Sequence, residues 1–214
     1  MKLRLLYFAR LRERFGVVEE RHVLLDSLAE AGVSHEDIEV VVLSHLHFDH
    51  AGGLLRADGQ RAFPNARIVA QKAEWEIASG DNPRLVASYV QPELRLVRDW
   101  GAEGWVDGER ELLPGVSVIP TGGHSAGHQA IKVRGTGDRA RTLVFFGDLF
   151  MRPWGANPRW VSAFDDFPLD SVRRKAELFA HAVDEDWLVV LSHEARTPVG
   201  TLARDRDRYR FEPI

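Results

Sequence analysis

Nine histidines occur in the 214-residue chain, and five of them, His45, His47, His50, His124 and His193, come directly after apolar runs. The densest group is Ser44-His45-Leu46-His47-Phe48-Asp49-His50, which follows the β-branched run Ile38–Leu43 (IEVVVL). Imidazole nitrogens and carboxylate oxygens are the donors that suit zinc and related divalent ions. Four such groups this close together cannot all converge on one ion without steric conflict. A compact loop can, however, send His45 and His47 to one ion and Asp49 and His50 to a neighbour. The pattern recurs downstream. TGGHSAGH (residues 121–128) follows Val116–Ile119, FFGD sets Asp148 after an apolar strand, and LSH sets His193 after Trp187–Leu191.

The elements that must position these groups are short strands followed by polar loops. The run Ile38–Leu43 reads as a buried strand covered on both faces. Arg67–Ala70, Leu94–Val97, Val116–Ile119, Ile131–Val133 and Thr142–Phe146 read as further strands, and Leu169–Ala182 as a helix. Upstream, Lys2–Phe8 and Glu19–Leu25 read as strands and Ala9–Phe15 as an Arg-rich helix. Asp26–Ala31 reads as helical, and Ser34 as the N-cap of a turn holding Glu36 and Asp37. Strands alternating with helices predict a layered α/β (or α+β) domain, and residues 1–214 are taken as one domain.

Composition narrows the chemistry. Hydrophobic residues at 44% and charged residues at 28% suffice for a packed core. The net charge of -4 argues against nucleic acid as partner. The absence of cysteine excludes disulfides, thiolate metal sites and a Cys nucleophile. No apolar run approaches the ~18 residues that span a bilayer, and no secretory signal is evident, so a cytoplasmic protein acting on a small molecule is expected.

In order along the chain, HLHFDH, TGGHSAGH, FFGD and LSH resemble the motifs of the metallo-β-lactamase fold superfamily, over roughly residues 26 to 195. The resemblance implies a four-layer αβ/βα sandwich with a metal site at the edge where strands end. It implies that His45, His47 and His124 hold one divalent ion and that Asp49, His50 and His193 hold a second, with Asp148 and a hydroxide bridging both. Zinc is the expected metal, although manganese, iron or cobalt accept the same donors. Such a pair of ions generates a nucleophile at neutral pH and polarises the scissile oxygen. Asp49 would orient that nucleophile and pass a proton to the leaving group, which makes Asp49 and Asp148 the catalytic carboxylates. His128 is expected to support the metal loop through a hydrogen bond.

The bridging Asp148 separates the chain from true β-lactamases of this fold, and His47 separates it from the flavodiiron oxidoreductases. Glyoxalase II normally adds a C-terminal helical domain, whereas about 20 residues follow His193. Between Asp148 and His193, Trp154, Trp160 and Phe164 resemble the pocket wall of lactonase-like and organophosphate-hydrolase-like members, and Phe48 lies beside the ligands. An aromatic wall suits an acyl chain. The alternative for these rings is packing between helix and sheet. Hydrolysis of a lactone or carboxylic ester is the leading expectation. The alternatives are phosphotriester, phosphodiester or thioester hydrolysis, a mononuclear-iron persulfide dioxygenase, and a metal-binding protein with little turnover.

Residues 1–25 depart from the family, whose members place several strands and an Asp-Thr-Gly-like turn before HxHxDH. The opening MKLRLLYFARLRERFG is similar to the first strand and helix of small ubiquitin-like sulfur carriers, without their terminal Gly-Gly. The expectation is a first sheet short of strands, with an open edge that a second copy would cover, or alternatively a pocket wall missing or rebuilt at the N-terminal region, with weaker activity.

Overall fold

The computed structural model describes residues 17–91, 94, 97–98, 104–137 and 140–214. It opens on helix α1 (Val17–Glu30), which corrects the strand expected over Glu19–Leu25. Leu24 and Leu28 lie four apart and both bury on one side, so the helical period decides the segment. The strand and helix expected over residues 2–15 lie outside the described residues. A 3-10 turn at His35–Asp37 follows, with the Ser34 hydroxyl accepting from the Glu36 N–H.

Strand β1 (Val40–Val42), the single-turn helix α2 (Phe48–Ala51), β2 (Arg67–Gln71), α3 (Lys72–Ala78) and β3 (Trp105–Val106) come next. Pairing of β2 with both β1 and β3 makes a three-stranded parallel sheet. The strand expected at Leu94–Val97 is helical at the positions described. Leu94 N–H donates to the Val90 carbonyl, and Leu94 and Val97, three apart, are both buried. No local pattern in the sequence marks α3, β3 or the strands at Arg110–Leu113 and Val199–Asp205.

The second sheet has seven strands. They are β4 (Arg110–Leu113), β5 (Val116–Pro120), β6 (Gln129–Arg134), β7 (Thr142–Phe145), β8 (Leu188–Val190), β9 (Val199–Asp205) and β10 (Arg208–Pro213). Their spatial order is sequential, β10 to β4. Only β7 and β8 pair in parallel, and helix α4 (Pro168–Asp184) supplies the crossover such a pair requires.

Side-chain alternation builds four layers. Val41, Ile68 and Ala70 face Leu24 and Leu28 of α1 and Ala78 of α3. Their neighbours Val40, Val42 and Val69 turn the other way, onto Val118, Ile131, Phe145 and Val190 of the second sheet. The opposite face of that sheet, with Ile119, Ala130, Val144 and Val189, packs on Leu178, Phe179 and Ala182 of α4. The result is the expected αβ/βα sandwich. A one-residue slip would exchange faces for a whole strand, and each buried Val or Leu contributes ~1.5–3 kcal/mol, so register is firmly fixed. No helix among the described residues is long and apolar enough to cross a membrane.

Candidate metal centre

In the second sheet β5, β7 and β8 run in one direction, so their C-terminal ends share an edge. The loops leaving them carry His124, Asp148 and His193, and the loop after β1 brings His45, His47, Asp49 and His50 to the same place. The donor atoms fall into two compact groups, His45–His47–His124 and Asp49–His50–Asp148–His193, each with its ligand atoms within 4.8 Å of one another. Asp148 stands centrally because β7 lies between β8 on one side and β6 and β5 on the other. Its Oδ1 is 3.1 Å from both His50 Nε2 and His193 Nε2, and its Oδ2 is 3.7 Å from His124 Nε2. Gly147, at φ 54°, allows this approach: a Cβ there would lie 2.5 Å from His128 Nε2 and 2.8 Å from Ser44 Cβ.

The centre is assembled for donors rather than for hydrogen bonds. His45 Nε2 and His47 Nε2 are buried and have no hydrogen-bond partner, and His50 Nε2 and Asp148 Oδ1 are buried against each other at 3.1 Å. An unmet buried polar atom costs about 1–3 kcal/mol, and such atoms gathered beside a buried carboxylate fit an inorganic cation with nitrogen and oxygen ligands. Burial, then His50, His47 and His124, hold the His45 imidazole well below its ordinary value. Burial and the same kind of neighbours bring His47 down to about 3. Both therefore offer neutral nitrogens. Burial would raise the Asp148 carboxyl, but His50 and His193 beside it hold it well below the usual carboxylate range.

The surrounding groups fix orientation. His128 is fully buried. Its Nδ1–H donates to the Thr121 hydroxyl oxygen, and its Nε2 accepts from the Asp148 backbone N–H at 3.0 Å. That contact holds the Asp148 loop. Asp165, to which the sequence assigned no role, accepts from His124 Nδ1–H at 3.0 Å. Burial works against charge on His124, but the Asp165 bond and the Asp148 charge outweigh it and raise its pKa. Glu74 and Tyr89 are further buried groups near the centre that the sequence does not single out, because no motif marks the helix that carries Glu74.

The candidate wall rings do not pack helix on sheet. Trp154 is 53%, Trp160 51% and Phe164 79% exposed. Phe48 is half-buried in α2. Phe164 adjoins Asp165 and so lies at the centre's margin, while Trp154 sits on a 3-10 turn, Pro153–Ala156, that packs against β10. Lys175 of α4 is buried and donates to the carbonyls of Asn157 and Trp160, which holds the Trp160 loop.

The lowered imidazoles set a pH dependence for the metal-free protein. Stability rises with pH wherever the unfolded chain holds more protons. Between about 3 and 6.5 the His47 ring is protonated when unfolded and neutral when folded, so stability falls as pH falls through that window. From pH 7 to pH 5 this is roughly 2 kcal/mol for such an imidazole, partly opposed by His124. Urea midpoints of chelator-treated protein at the two pH values measure it, and a midpoint that rises on acidification would contradict the assignment.

A family model described as the Metallo-beta-lactamase superfamily matches residues 14–193. An N-acyl homoserine lactonase from a Bacillus species is 28% identical over 176 residues, 82% of this chain and 63% of that protein. The chain thus spans less than two thirds of that relative's length. Among solved structures, one described as a probable metal-dependent hydrolase from Staphylococcus aureus superposes with a TM-score of 0.75 at 28% identity, over 88% of this chain and 68% of the other. AidC, described as a dizinc quorum-quenching lactonase in complex with a product, superposes with a TM-score of 0.74 over 89% of this chain and 69% of the other. At 22% identity that second likeness bears on the fold alone.

Proposed function

Because the chain belongs to the metallo-β-lactamase superfamily, we propose that it is a metal-dependent hydrolase that opens a lactone or cleaves a carboxylic ester. The observation that carries this reading is the convergence of seven His and Asp side chains into two adjacent donor groups, with His45 Nε2 and His47 Nε2 buried and unmet. In this reading His45, His47 and His124 hold one divalent ion, and Asp49, His50 and His193 hold the other. Asp148 serves both. Zinc suits the donor set, and manganese, iron or cobalt would be accepted. When bound, two such ions activate water near neutral pH and polarise the scissile carbonyl.

The chain's own groups do the remaining work. Asp49 Oδ2 lies 3.7 Å from His50 Nε2 and 3.8 Å from His193 Nε2, at the more open side of the centre. There it can take a proton and deliver it to the departing alkoxide. Asp165 fixes the His124 ring, and His128 fixes the Asp148 loop, as supports of this kind do for ligands. Phe48, Trp160 and Phe164, with Trp154 further along the same segment, are assigned to the substrate's apolar portion. The exposed rings of Trp160 and Phe164, five residues and one residue before Asp165, support this assignment. Residues 1–214 are read as one domain, since both sheets contribute to one centre, and a second copy is assigned to the open edge of the first sheet.

The lactone class draws its support from the Bacillus N-acyl homoserine lactonase. The test is elemental analysis of protein purified without chelator, followed by hydrolysis assays on N-acyl homoserine lactones, aryl esters and phosphotriesters. About two zinc-like ions per chain and preferential lactone opening are expected. One iron per chain with oxygen-dependent persulfide oxidation, or no retained metal, would overturn the reading.

A further inference from the structure

We propose that Glu74 is a positioning residue that holds the first donor group, His45, His47 and His124, in register. The proposal rests on the metal-hydrolase reading above. Glu74 lies in the first turn of α3 and is fully buried. Its Oε1 accepts from the Leu46 N–H at 3.0 Å and the Tyr89 hydroxyl at 2.9 Å. Its Oε2 accepts from the Ser125 hydroxyl at 2.6 Å and the Gly127 N–H at 3.1 Å. Leu46 stands between His45 and His47, Ser125 follows His124, and the Tyr89 ring lies edge-on to the His47 ring at 4.9 Å. Every imidazole of the first group is therefore one residue away from, or in contact with, a donor that ends on this carboxylate. None of the four donors adjoins Asp49, His50, Asp148 or His193 in sequence.

The approach is built into the backbone. A Cβ on Gly127 would lie 2.0 Å from the Glu74 backbone nitrogen and 2.4 Å from its Cα, so only glycine lets the TGGHSAGH loop close on α3. A carboxylate offers about four lone-pair sites, and four donors reach them. A carboxamide of the same shape would turn two N–H groups toward donors and lose about half of the clamp. Glu74 thereby ties the loop after β1, from one half of the sandwich, to the loop after β5, from the other. The first donor group is the one assembled across that seam from these two loops alone.

The experiment measures cobalt(II) binding to chelator-stripped full-length protein by visible absorption. A His193→Ala background leaves only the first group complete, and a His45→Ala background leaves only the second. Adding Glu74→Gln is expected to weaken cobalt binding roughly 10–100-fold in the first background and less than about threefold in the second. Equal weakening in both, or no change in the first, would overturn the proposal. Circular dichroism checks folding. If Glu74→Gln does not fold, Tyr89→Phe in the same two backgrounds takes its place, with a smaller loss confined to the first background expected, and an equal or absent effect again overturning the proposal. Failure of the otherwise unsubstituted protein to bind cobalt would instead defeat the hydrolase reading, so the two failures are distinguishable.

Discussion

Replacing Asp148 by alanine is expected to lower kcat/KM for lactone opening by roughly 10³-fold, because stabilisation of this kind amounts to several kcal/mol and each ~1.4 kcal/mol is tenfold. The location explains the size. Asp148 is a carboxylate within 4 Å of ring nitrogens from both donor groups: His50 and His193 at 3.1 Å, and His124 at 3.7 Å. Alanine keeps the backbone N–H that His128 accepts, so the loop and the fold should survive. What disappears is the anion shared by the two groups. Metal content should fall from about two ions per chain toward one, with unchanged circular dichroism. Activity within tenfold of the unsubstituted enzyme would show that the two groups act independently and that the bridging role is wrong.

The second large effect is expected from chelation. The centre joins the two halves of the sandwich: His45, His47 and His50 come from the loop after β1, and His124, Asp148 and His193 from the second sheet. Ions bound there stabilise only the folded chain. A ligand present at 100 to 1,000 times its Kd contributes about 2.7–4.1 kcal/mol, and for a chain of this size each kcal/mol moves Tm by roughly 2–4 °C. Stripping the metal should therefore lower Tm by roughly 5–15 °C and abolish hydrolysis, and stoichiometric zinc should restore both. Recovery of Tm without activity would point to a metal-binding protein with little turnover. No change in either quantity would remove metal from the account altogether.

The acid sensitivity of the metal-free protein and the Glu74 clamp bear on the same centre from other directions. The first reports that the imidazoles are held neutral by burial. The second reports how the first group stays aligned before any ion arrives. A protein that lost cobalt affinity on Glu74→Gln yet kept its acid profile would separate alignment from burial.

Local sequence pattern singled out the seven His and Asp side chains that the fold brings together. Each donor follows a run whose β-branched or aromatic composition announces a strand end, as in IEVVVL before His45 or TLVFF before Asp148, and strand ends on one sheet edge are where side chains can converge. It also determined the layered fold class, the Ser34 cap and helix α4, all of which follow from local spacing. It failed where local pattern was ambiguous. Glu19–Leu25 holds its three apolar residues in one run, which defines no period, and only the burial of Leu24 and Leu28 against the first sheet selects a helix. Leu94 and Val97 likewise needed their partners to define a face.

The roles of Glu74 and Asp165 emerge only from the folded arrangement. Glu74 meets its donors 15 to 53 residues away, and Asp165 meets His124 across 41. No local signal distinguishes either from a solvated carboxylate. The aromatic rings of residues 154–164 could have been core or wall, and exposure, which depends on what else packs there, shows that they are not core. The reason is common to all of these. A donor's identity is a property of one residue, but whether it is buried, paired or aligned depends on distant chain brought beside it, and that is fixed only when the two sheets close on one another.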